Sequence, residues 1–277
     1  MSVVERATWV IERNLTQELT LESLAQACGV SRFHLSHAFG QTVGRPVIQY
    51  LRERRLSEAA CRLAREKRGV LDVALEVGYG SNEAFTRAFR ALLGVTPEAV
   101  KRRADLAGLA LVEPLHRLLS TSEPLEEPRR ETPGALNFIG LAENQRLGRT
   151  AGIPGQWGRF MELFAAIPEV IDPIPWGVAF PADDDGRFRY VAAAKVAAGG
   201  LAPRGLSRLR LEAQTYLVFC HRTHASRIGE TVGAIWNDWL PASGAEPVDA
   251  PSLERHSDGF DTTTGLGGVE IWVPVRL

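Results

Sequence analysis

The amino-acid sequence predicts an all-helical domain with two helix-turn-helix units, followed by a duplicated α+β domain in which two helices pack on an antiparallel sheet. Three observations support this. A pattern of helix, glycine turn and second helix occurs twice within residues 21–101; prolines and charged residues crowd residues 107–133; and strand-like segments alternate with two long amphipathic segments after them. We therefore place the domains at 1–106 and 134–277, with a linker at 107–133.

The first copy of the repeat begins at Leu21, turns at Gly29 and continues in a helix from Ser31. The second copy begins at Val70, turns at Gly78 and continues from Ser81. Serine is a favoured helix N-cap, and the amides that it exposes can approach a phosphate. A long helix over residues 47–63 joins the copies, so their second helices could enter major grooves roughly 34 Å apart on one duplex. Double-stranded DNA is thus the expected partner.

The elements outside the repeat follow from local signals. Thr96 and Pro97 predict a cap and first turn for a closing helix, and part of the linker, around 109–119, has a helical pattern. Helices are expected at 153–167 and at 228–239, the second ended by Pro241. Asp183–Gly186 predicts a hairpin turn. The expected strands are 135–141, 176–180, 188–194, 215–220, 253–256 and 269–275.

Composition and charge narrow the class of protein. The 277 residues, 45% of them hydrophobic, suffice for two cores. No run of about 18 apolar residues predicts a membrane span, and the N-terminus does not have the pattern of a signal peptide. Three cysteines without ligand-like spacing suit a reducing, cytoplasmic location. Residues 1–105 hold 16 Lys and Arg against 12 Asp and Glu, whereas residues 106–277 hold 16 against 21. This asymmetry favours a nucleic-acid module joined to a domain of another kind.

Fixed spacings recur in four segments of residues 5–104, namely Tyr50–Leu56, Val73–Tyr79, Phe85–Arg90 and Gly94–Pro97. Together these segments resemble the AraC-type DNA-binding domain. The resemblance implies that one chain binds an asymmetric DNA site. By position it implies that bases face Phe33, Ser36 and His37 in the first unit and Asn82, Glu83 and Arg87 in the second. Apart from the resemblance, Ser31 and Ser81 at the helix starts, with Arg32, are expected to contact DNA as well.

Two positions depart from that family's pattern. His37 stands where an arginine is usual, and Gly40 replaces a basic residue inside the helix. A glycine in a helix interior costs about 1 kcal/mol relative to alanine. The sequence therefore predicts that the first unit reads DNA more weakly than the second.

The closing strand supplies the second informative motif. Alternation puts Val269, Ile271 and Val273 on one face as core, and Glu270 with Trp272 on the other. A carboxylate beside an indole can receive an organic cation through charge pairing and cation–π attraction. A solvent-facing glutamate on an open sheet remains the alternative.

Within residues 133–277 a second pattern includes Gly140–Trp157, Tyr216–His221, Trp236–Pro241, Glu254 and the closing strand. These segments resemble the GyrI-like effector-binding domain. The resemblance implies a cleft for small molecules, often lipophilic cations, with Glu270 as the acidic residue. We expect Trp157, Trp176, Tyr216 and Trp272 to line it, while His256 departs from the family's usual tyrosine.

The sequence thus predicts a one-component transcriptional regulator, not an enzyme, that senses an aromatic or cationic small molecule and acts through domain docking or through contact with RNA polymerase. No cofactor and no metal site are expected, because His221 and His224 lack a third ligand. An alternative remains open, in which the chain sequesters drugs or hydrolyses an electrophilic aromatic compound through Glu270.

Overall fold

The computed structural model describes residues 2–66, 68–115, 125–261 and 264–276. They form two compact units, the first within Met1–Arg32 and Val47–Leu119, the second within Phe33–Pro46 and Ser120–Leu277. None of the helices in these ranges combines the length and apolar character needed to cross a membrane.

The first unit is built of helices that begin and end at conventional caps. Ser2 and Glu5 form a capping box on the first helix, Thr20 caps the second, and Ser81 and Thr96 cap later ones, as predicted for the last two. The helices are α1 (Val3–Arg13), α2 (Leu21–Cys28), α4 (Val47–Arg65), α5 (Val70–Glu76), α6 (Asn82–Leu93) and α7 (Pro97–Arg103), while α3 (Arg32–Val43) belongs to the second unit from Phe33 onward.

A continuous apolar core holds the second helix-turn-helix copy together. Phe85 and Phe89 of α6 are fully buried, with ring centroids 5.4 Å apart, and pack with residues of α4 and α5. Gly78 lies in the turn between α5 and α6, and Gly94 caps the end of α6. They adopt positive φ values of 85° and 74°, which glycine tolerates without strain. The buried face of α6 thereby fixes which side chains point outward.

An ion-pair network ties α1 to the long helix α4. Arg54 donates to Glu12 from both Nε and Nη2, at 2.8 and 2.7 Å, and from Nη1 to the carbonyl of Val112. The Tyr50 hydroxyl donates to Glu12 and accepts from the amide of Leu115. These bonds hold residues 112–115 in a non-helical conformation, so the helix predicted around 109–119 is wrong for 109–115; residues 116–119 lie outside the described ranges.

The second unit is dominated by an antiparallel sheet. Its described strands are β1 (Arg129–Glu131), β2 (Leu136–Arg146), β3 (Trp176–Ala179), β4 (Arg187–Lys195), β5 (Ser207–Leu211), β6 (Tyr216–His221), β7 (Glu246–Pro247), β8 (Ser252–His256) and β9 (Val269–Arg276). They lie in the order β1-β6-β9-β8-β3-β4-β2-β5, with β7 paired to β9. Three short strands were not predicted, namely β1, β5 and β7, and the predicted duplication of this unit stays a prediction.

Two helical segments of the second unit pack on this sheet. Helix α8 (Gly152–Phe164) contacts β2 and β4. Helix α9 (Ile228–Ala234) continues through a π-helical turn, Ile235–Trp239, into α10 (Leu240–Ser243). The prediction that Pro241 ends this helix is wrong, because Pro241 occupies the first turn of α10, where its missing N–H is tolerated, and Gly244 with φ 75° is the C-cap.

The two faces of the sheet bury different sets of side chains. Ala192 and Ala194 of β4 pack with Phe160 of α8, whereas Val191 and Ala193 of the same strand pack on the opposite face. Strand alternation is the reason. The confirmed hairpin between β3 and β4 turns through Asp183–Gly186, where the Asp183 carboxylate accepts from the amides of Asp185 and Arg187.

One carboxyl group is partly buried on the α8 side of the sheet. The Tyr190 hydroxyl donates to Glu254 at 2.7 Å and accepts from Trp157 Nε1 at 3.2 Å. Burial raises the pKa of the Glu254 carboxyl. Gly177 leaves room for this pair, since a Cβ there would collide with the Tyr190 hydroxyl and with Glu254.

We expect Phe89→Ala to destabilise the first unit by about 3–5 kcal/mol, because it removes a fully buried ring and leaves a cavity. Denaturant unfolding of the full chain, followed by circular dichroism, measures this change. Leu75→Ala is the control, since Leu75 is 54% exposed and its loss should change the free energy of unfolding by less than about 0.5 kcal/mol. Equal effects of the two substitutions would contradict the described core.

We expect Glu254→Gln to raise the unfolding midpoint at pH 8. The pKa of Glu254 is raised in the folded state, so the charged carboxyl destabilises the fold above that pKa and has no effect below its unfolded value, 4.5. The glutamine can still accept from Tyr190. The gain should vanish near pH 4, whereas the control Glu143→Gln, at a partly exposed carboxyl paired with Arg159, should show no such pH-dependent gain. A midpoint lowered at pH 8 would refute this assignment.

Candidate functional site

The second recognition helix, α6, presents a polar face. Ser81 caps it by accepting from the amide of Ala84 at 3.2 Å, and Asn82, Glu83 and Arg87 are exposed beyond it. Together with Thr86, Arg90 and Thr96, these three residues line an open groove. Phe85 and Phe89 are fully buried on the opposite face of the helix. The three residues of α6 that are expected to face bases therefore point outward.

Glu83 has a role at the start of this helix as well. The pKa of its carboxyl is lowered, because the carboxylate accepts hydrogen bonds from its own backbone N–H and from Ser81. A negative charge at this end is also favoured by the helix dipole. Glu83 is therefore an ionised group that organises the N-terminus of α6, alongside Asn82 and Arg87 as base-reading candidates.

The first recognition helix, α3, has different surroundings. Arg32 is exposed and pairs with Glu22 at 3.0 Å, and Ser31 is exposed as well. Phe33 and His37, however, contact Trp236 of the π-helical turn, with ring centroids 5.8 and 3.9 Å apart. No sequence pattern pointed to Trp236 as the neighbour of predicted DNA-reading residues. Ser36 is partly buried.

Three of the predicted effector residues share one face of the sheet. Trp272 lies 5.2 Å from Trp176 and 5.8 Å from Tyr216, measured between ring centroids, and all three belong to one apolar cluster. Glu270 accepts a hydrogen bond from Trp272 Nε1 at 3.1 Å. The predicted juxtaposition of a carboxylate and an indole is thus present.

Arg129 of β1 contacts both that carboxylate and that indole. Its Nη2 donates to Glu270 at 2.8 Å, and its guanidinium carbon lies 5.7 Å from the centre of the Trp272 ring. These are the two contacts that the sequence assigned to a ligand cation. Arg129 lies in the segment predicted to be linker, and no pattern there distinguished it from the other charged residues.

Trp176 is surrounded by charged groups on the same face. Its Nε1 donates to Asp172 at 3.0 Å, while Arg255 and Lys195 place cationic groups 5.8 and 5.7 Å from its ring centre. Burial opposes the charged form of Asp172, yet hydrogen bonds from Arg255, from the amide of Ile174 and from Trp176 leave its pKa lowered. The Trp176 ring therefore already has the cationic side chains of Arg255 and Lys195 beside it.

Trp157 lies on the opposite face of the sheet. It packs against His256, 5.0 Å away between ring centroids, and donates to Tyr190, next to Glu254. Burial lowers the pKa of His256 to about 4, which keeps this imidazole neutral. Trp157 is therefore separated from the other predicted effector residues, and Glu254 with Tyr190 forms a second polar site that alternation alone did not reveal.

The two histidines considered as metal ligands have other partners. His221 bonds to Thr231 through Nδ1 and to the carbonyl of His224 through Nε2, at 2.8 and 3.0 Å. Within the ranges that the structure describes, no three His, Cys, Asp or Glu side chains are grouped to hold a metal ion.

Family models match both parts of the chain. A helix-turn-helix domain model covers residues 24–103, and the model of a GyrI-like small molecule binding domain covers residues 126–276. The two matches follow one another along the chain in the order that the sequence predicted.

Curated relatives agree with these matches. The transcriptional regulator Rob of Salmonella typhimurium is 23% identical over 96% of this chain and 95% of its own length, and the right origin-binding protein of Escherichia coli is 25% identical over the same shares. The HTH-type transcriptional activator AarP of Providencia stuartii is 36% identical over 41% of this chain and 84% of its own. The chain therefore belongs to the AraC-type helix-turn-helix transcriptional regulators and carries a GyrI-like small-molecule-binding domain.

Proposed function

We propose that this regulator reads a specific DNA sequence mainly through α6 and that its GyrI-like domain senses an aromatic organic cation at the face formed by Glu270, Trp272, Trp176 and Tyr216. The proposed location is the cytoplasm. RNA polymerase is the proposed protein partner, and no membrane partner is proposed. The observation that carries the proposal is Arg129, whose guanidinium makes the contacts that a ligand cation would make with Glu270 and Trp272.

The DNA-reading part of the proposal rests on the chemistry of α6. Asn82 can read adenine and Arg87 can read guanine, each through two hydrogen bonds in the major groove. Both side chains are exposed on one face of a helix whose start is capped by Ser81. Arg90 lines the same groove three residues beyond Arg87 and suits a phosphate.

The effector part rests on exchange of one cation for another. An aromatic organic cation that enters the face would replace Arg129 as the partner of Glu270 and would pack on Trp272, which is 8% exposed and largely shielded from water. Attraction between a cation and an indole strengthens as the pair loses water, to about 2 kcal/mol or more. Arg129 is 44% exposed at its side chain, so its release into solvent costs little.

A drug-sequestering protein or a hydrolase acting through Glu270 is the second candidate. Glu270 already accepts hydrogen bonds from Arg129 and from Trp272, so its carboxylate oxygens are engaged by these two donors and not by a substrate or a water molecule. Binding alone thus fits the geometry better than catalysis. Incubation of the chain with an electrophilic aromatic compound tests this: consumption that Glu270→Gln abolishes would establish the enzyme instead.

We expect Arg87→Ala to relax DNA specificity and Arg90→Ala to weaken binding to all sequences alike. Arg87 should lose about 1–3 kcal/mol of discrimination at one base pair, because a bidentate contact to guanine disappears. Arg90 should instead reduce the slope of log affinity against log salt concentration by about one, since it neutralises a phosphate. Titrations against selected and scrambled fragments at several salt concentrations separate the two variants. Uniform weakening by Arg87→Ala would contradict the assignment.

We expect Arg129→Ala to raise the affinity for benzyltrimethylammonium several-fold and Glu270→Gln to lower it about tenfold, because the first frees the cation site and the second removes its charge. Isothermal titration calorimetry measures both. Arg159→Ala is the matched control, since Arg159 forms another exposed ion pair, with Glu143. An uncharged ligand of the same shape should not respond to either change. Equal affinities in wild type and Glu270→Gln would contradict the proposed site.

A further inference from the structure

The two recognition helices differ in how much of their surface is buried. In α6 the buried side chains lie on one face and the polar ones on the other. In α3, by contrast, His34, Leu35, Ala38, Phe39 and Gly40 are all buried, and the base-facing candidates Phe33 and His37 are partly buried as well. A helix covered on more than one side is packed into a protein interior.

Trp236 covers the face of α3 that was predicted to read bases. The His37 ring stacks on the indole with 3.9 Å between centroids and 28° between planes, and Phe33 meets the indole edge-on. On the neighbouring position, His34 Nε2 lies 2.6 Å from the carbonyl oxygen of Trp236. Within the second unit, Trp236 thus contacts three residues of the first two turns of α3, namely Phe33, His34 and His37.

The contact extends along the rest of α3. Asn237, the residue after Trp236, donates to the hydroxyl of Thr42 at 2.7 Å. A Cβ on Gly40 would lie 2.7 Å from a methyl carbon of Leu147, and Gly44 approaches the backbone of Gly148. The absence of a side chain at Gly40 is what allows Leu147 to lie so close.

Both departures from the family's pattern serve this contact. A basic side chain at position 40 would meet Leu147, and an arginine at position 37 would carry a charge into the stack with Trp236. His37 stays neutral there, since burial, and to a lesser degree the proximity of His34, lower its pKa to about 3. A neutral imidazole stacks on an indole without the cost of burying a charge.

We infer that α3 is held in an autoinhibited state, in which Trp236 of the π-helical turn withholds the first recognition helix from DNA until that contact opens. The inference rests on the proposed DNA-binding function. Phe33 and His37 cannot reach base edges while they are packed against Trp236, so the closed state reads DNA through α6 alone. A π-helical turn at this place is consistent with a functional role, because such turns occur frequently at functional sites.

The test compares Trp236→Leu with Trp239→Leu in the full chain. Both change a tryptophan of the same π-helical turn, but Trp239 packs on Phe219 of β6, 5.1 Å away between ring centroids. Trp236→Leu should bind its DNA site roughly tenfold more tightly and extend the hydroxyl-radical footprint by about 10 base pairs, as α3 enters a second major groove. Trp239→Leu should change neither. An unchanged footprint and affinity in a folded Trp236→Leu chain would overturn the inference.

A second variant covers the case in which Trp236→Leu does not fold. Thr42→Val keeps the volume of the side chain and removes its hydrogen bond with Asn237, so it should strengthen DNA binding about 2- to 10-fold. Nuclear magnetic resonance adds a readout without DNA: His37 should not titrate between pH 5 and 8 in the wild type and should titrate nearer 6.5 once the contact opens. Failure of Thr42→Val to strengthen binding, or a wild-type His37 that titrates normally, would overturn the inference.

Failure of this inference is distinguishable from failure of the proposed function. If Arg87→Ala relaxes sequence preference while Trp236→Leu and Thr42→Val leave affinity unchanged, the DNA-reading function stands and autoinhibition is wrong. If Arg87→Ala has no effect in either the wild type or the Trp236→Leu background, the proposed reading helix itself is wrong.

Discussion

The second unit depends on the alternation of side chains along β9. This strand pairs with β6 and β8 and also with the short β7, so it joins most of one half of the sheet. Successive residues point to opposite faces. Ile271 and Val273 are therefore buried on one side, whereas Glu270 and Trp272 meet Arg129 and Trp176 on the other. A shift of one residue in register would exchange the core with the cation-holding face.

The first unit depends on a different kind of interaction. Arg54 of α4 is nearly buried and donates to Glu12 and to the carbonyl of Val112. A buried charge of this kind is tolerated because each of these donors has an acceptor, and loss of one partner would leave the other uncompensated. The network fixes α1 and residues 112–115 against the long helix that joins the two copies of the repeat. The apolar cluster around Phe85 and Phe89 then positions α6.

The two copies of the helix-turn-helix motif differ in how their second helices are packed. The second copy keeps Asn82 and Arg87 exposed on a capped helix, which suits direct reading of bases. The first copy contains the small and neutral residues Gly40 and His37, which suit close packing against Leu147 and Trp236. Trp236 belongs to the same helical segment as Trp239, which packs on β6, the strand that carries Tyr216 on its other face.

Much of the fold followed from local patterns, because helix periodicity, capping residues and strand alternation depend on neighbours in the chain. The caps at Ser81 and Thr96, the hairpin at Asp183–Gly186 and the paired faces of β9 are examples. Short strands such as β1 and β5 could not be predicted in this way, because three to five residues show too little alternation. They are extended because they pair with strands that are distant in the sequence. Residues 109–115 have a helical sequence pattern but are not helical in the structure, because amides of this segment donate hydrogen bonds to side chains of α4.

The sequence by itself determined the two parts of the chain, the family of each, and the exposed face of α6, since motif spacing and amphipathic pattern are properties of contiguous residues. Only the tertiary structure decided which distant side chains meet. It joined Arg129 to Glu270, separated Trp157 from Trp272 by placing them on opposite faces, paired Tyr190 with Glu254, and covered α3 with Trp236. These contacts link residues many positions apart, and packing chooses among all such pairs only when the whole unit folds.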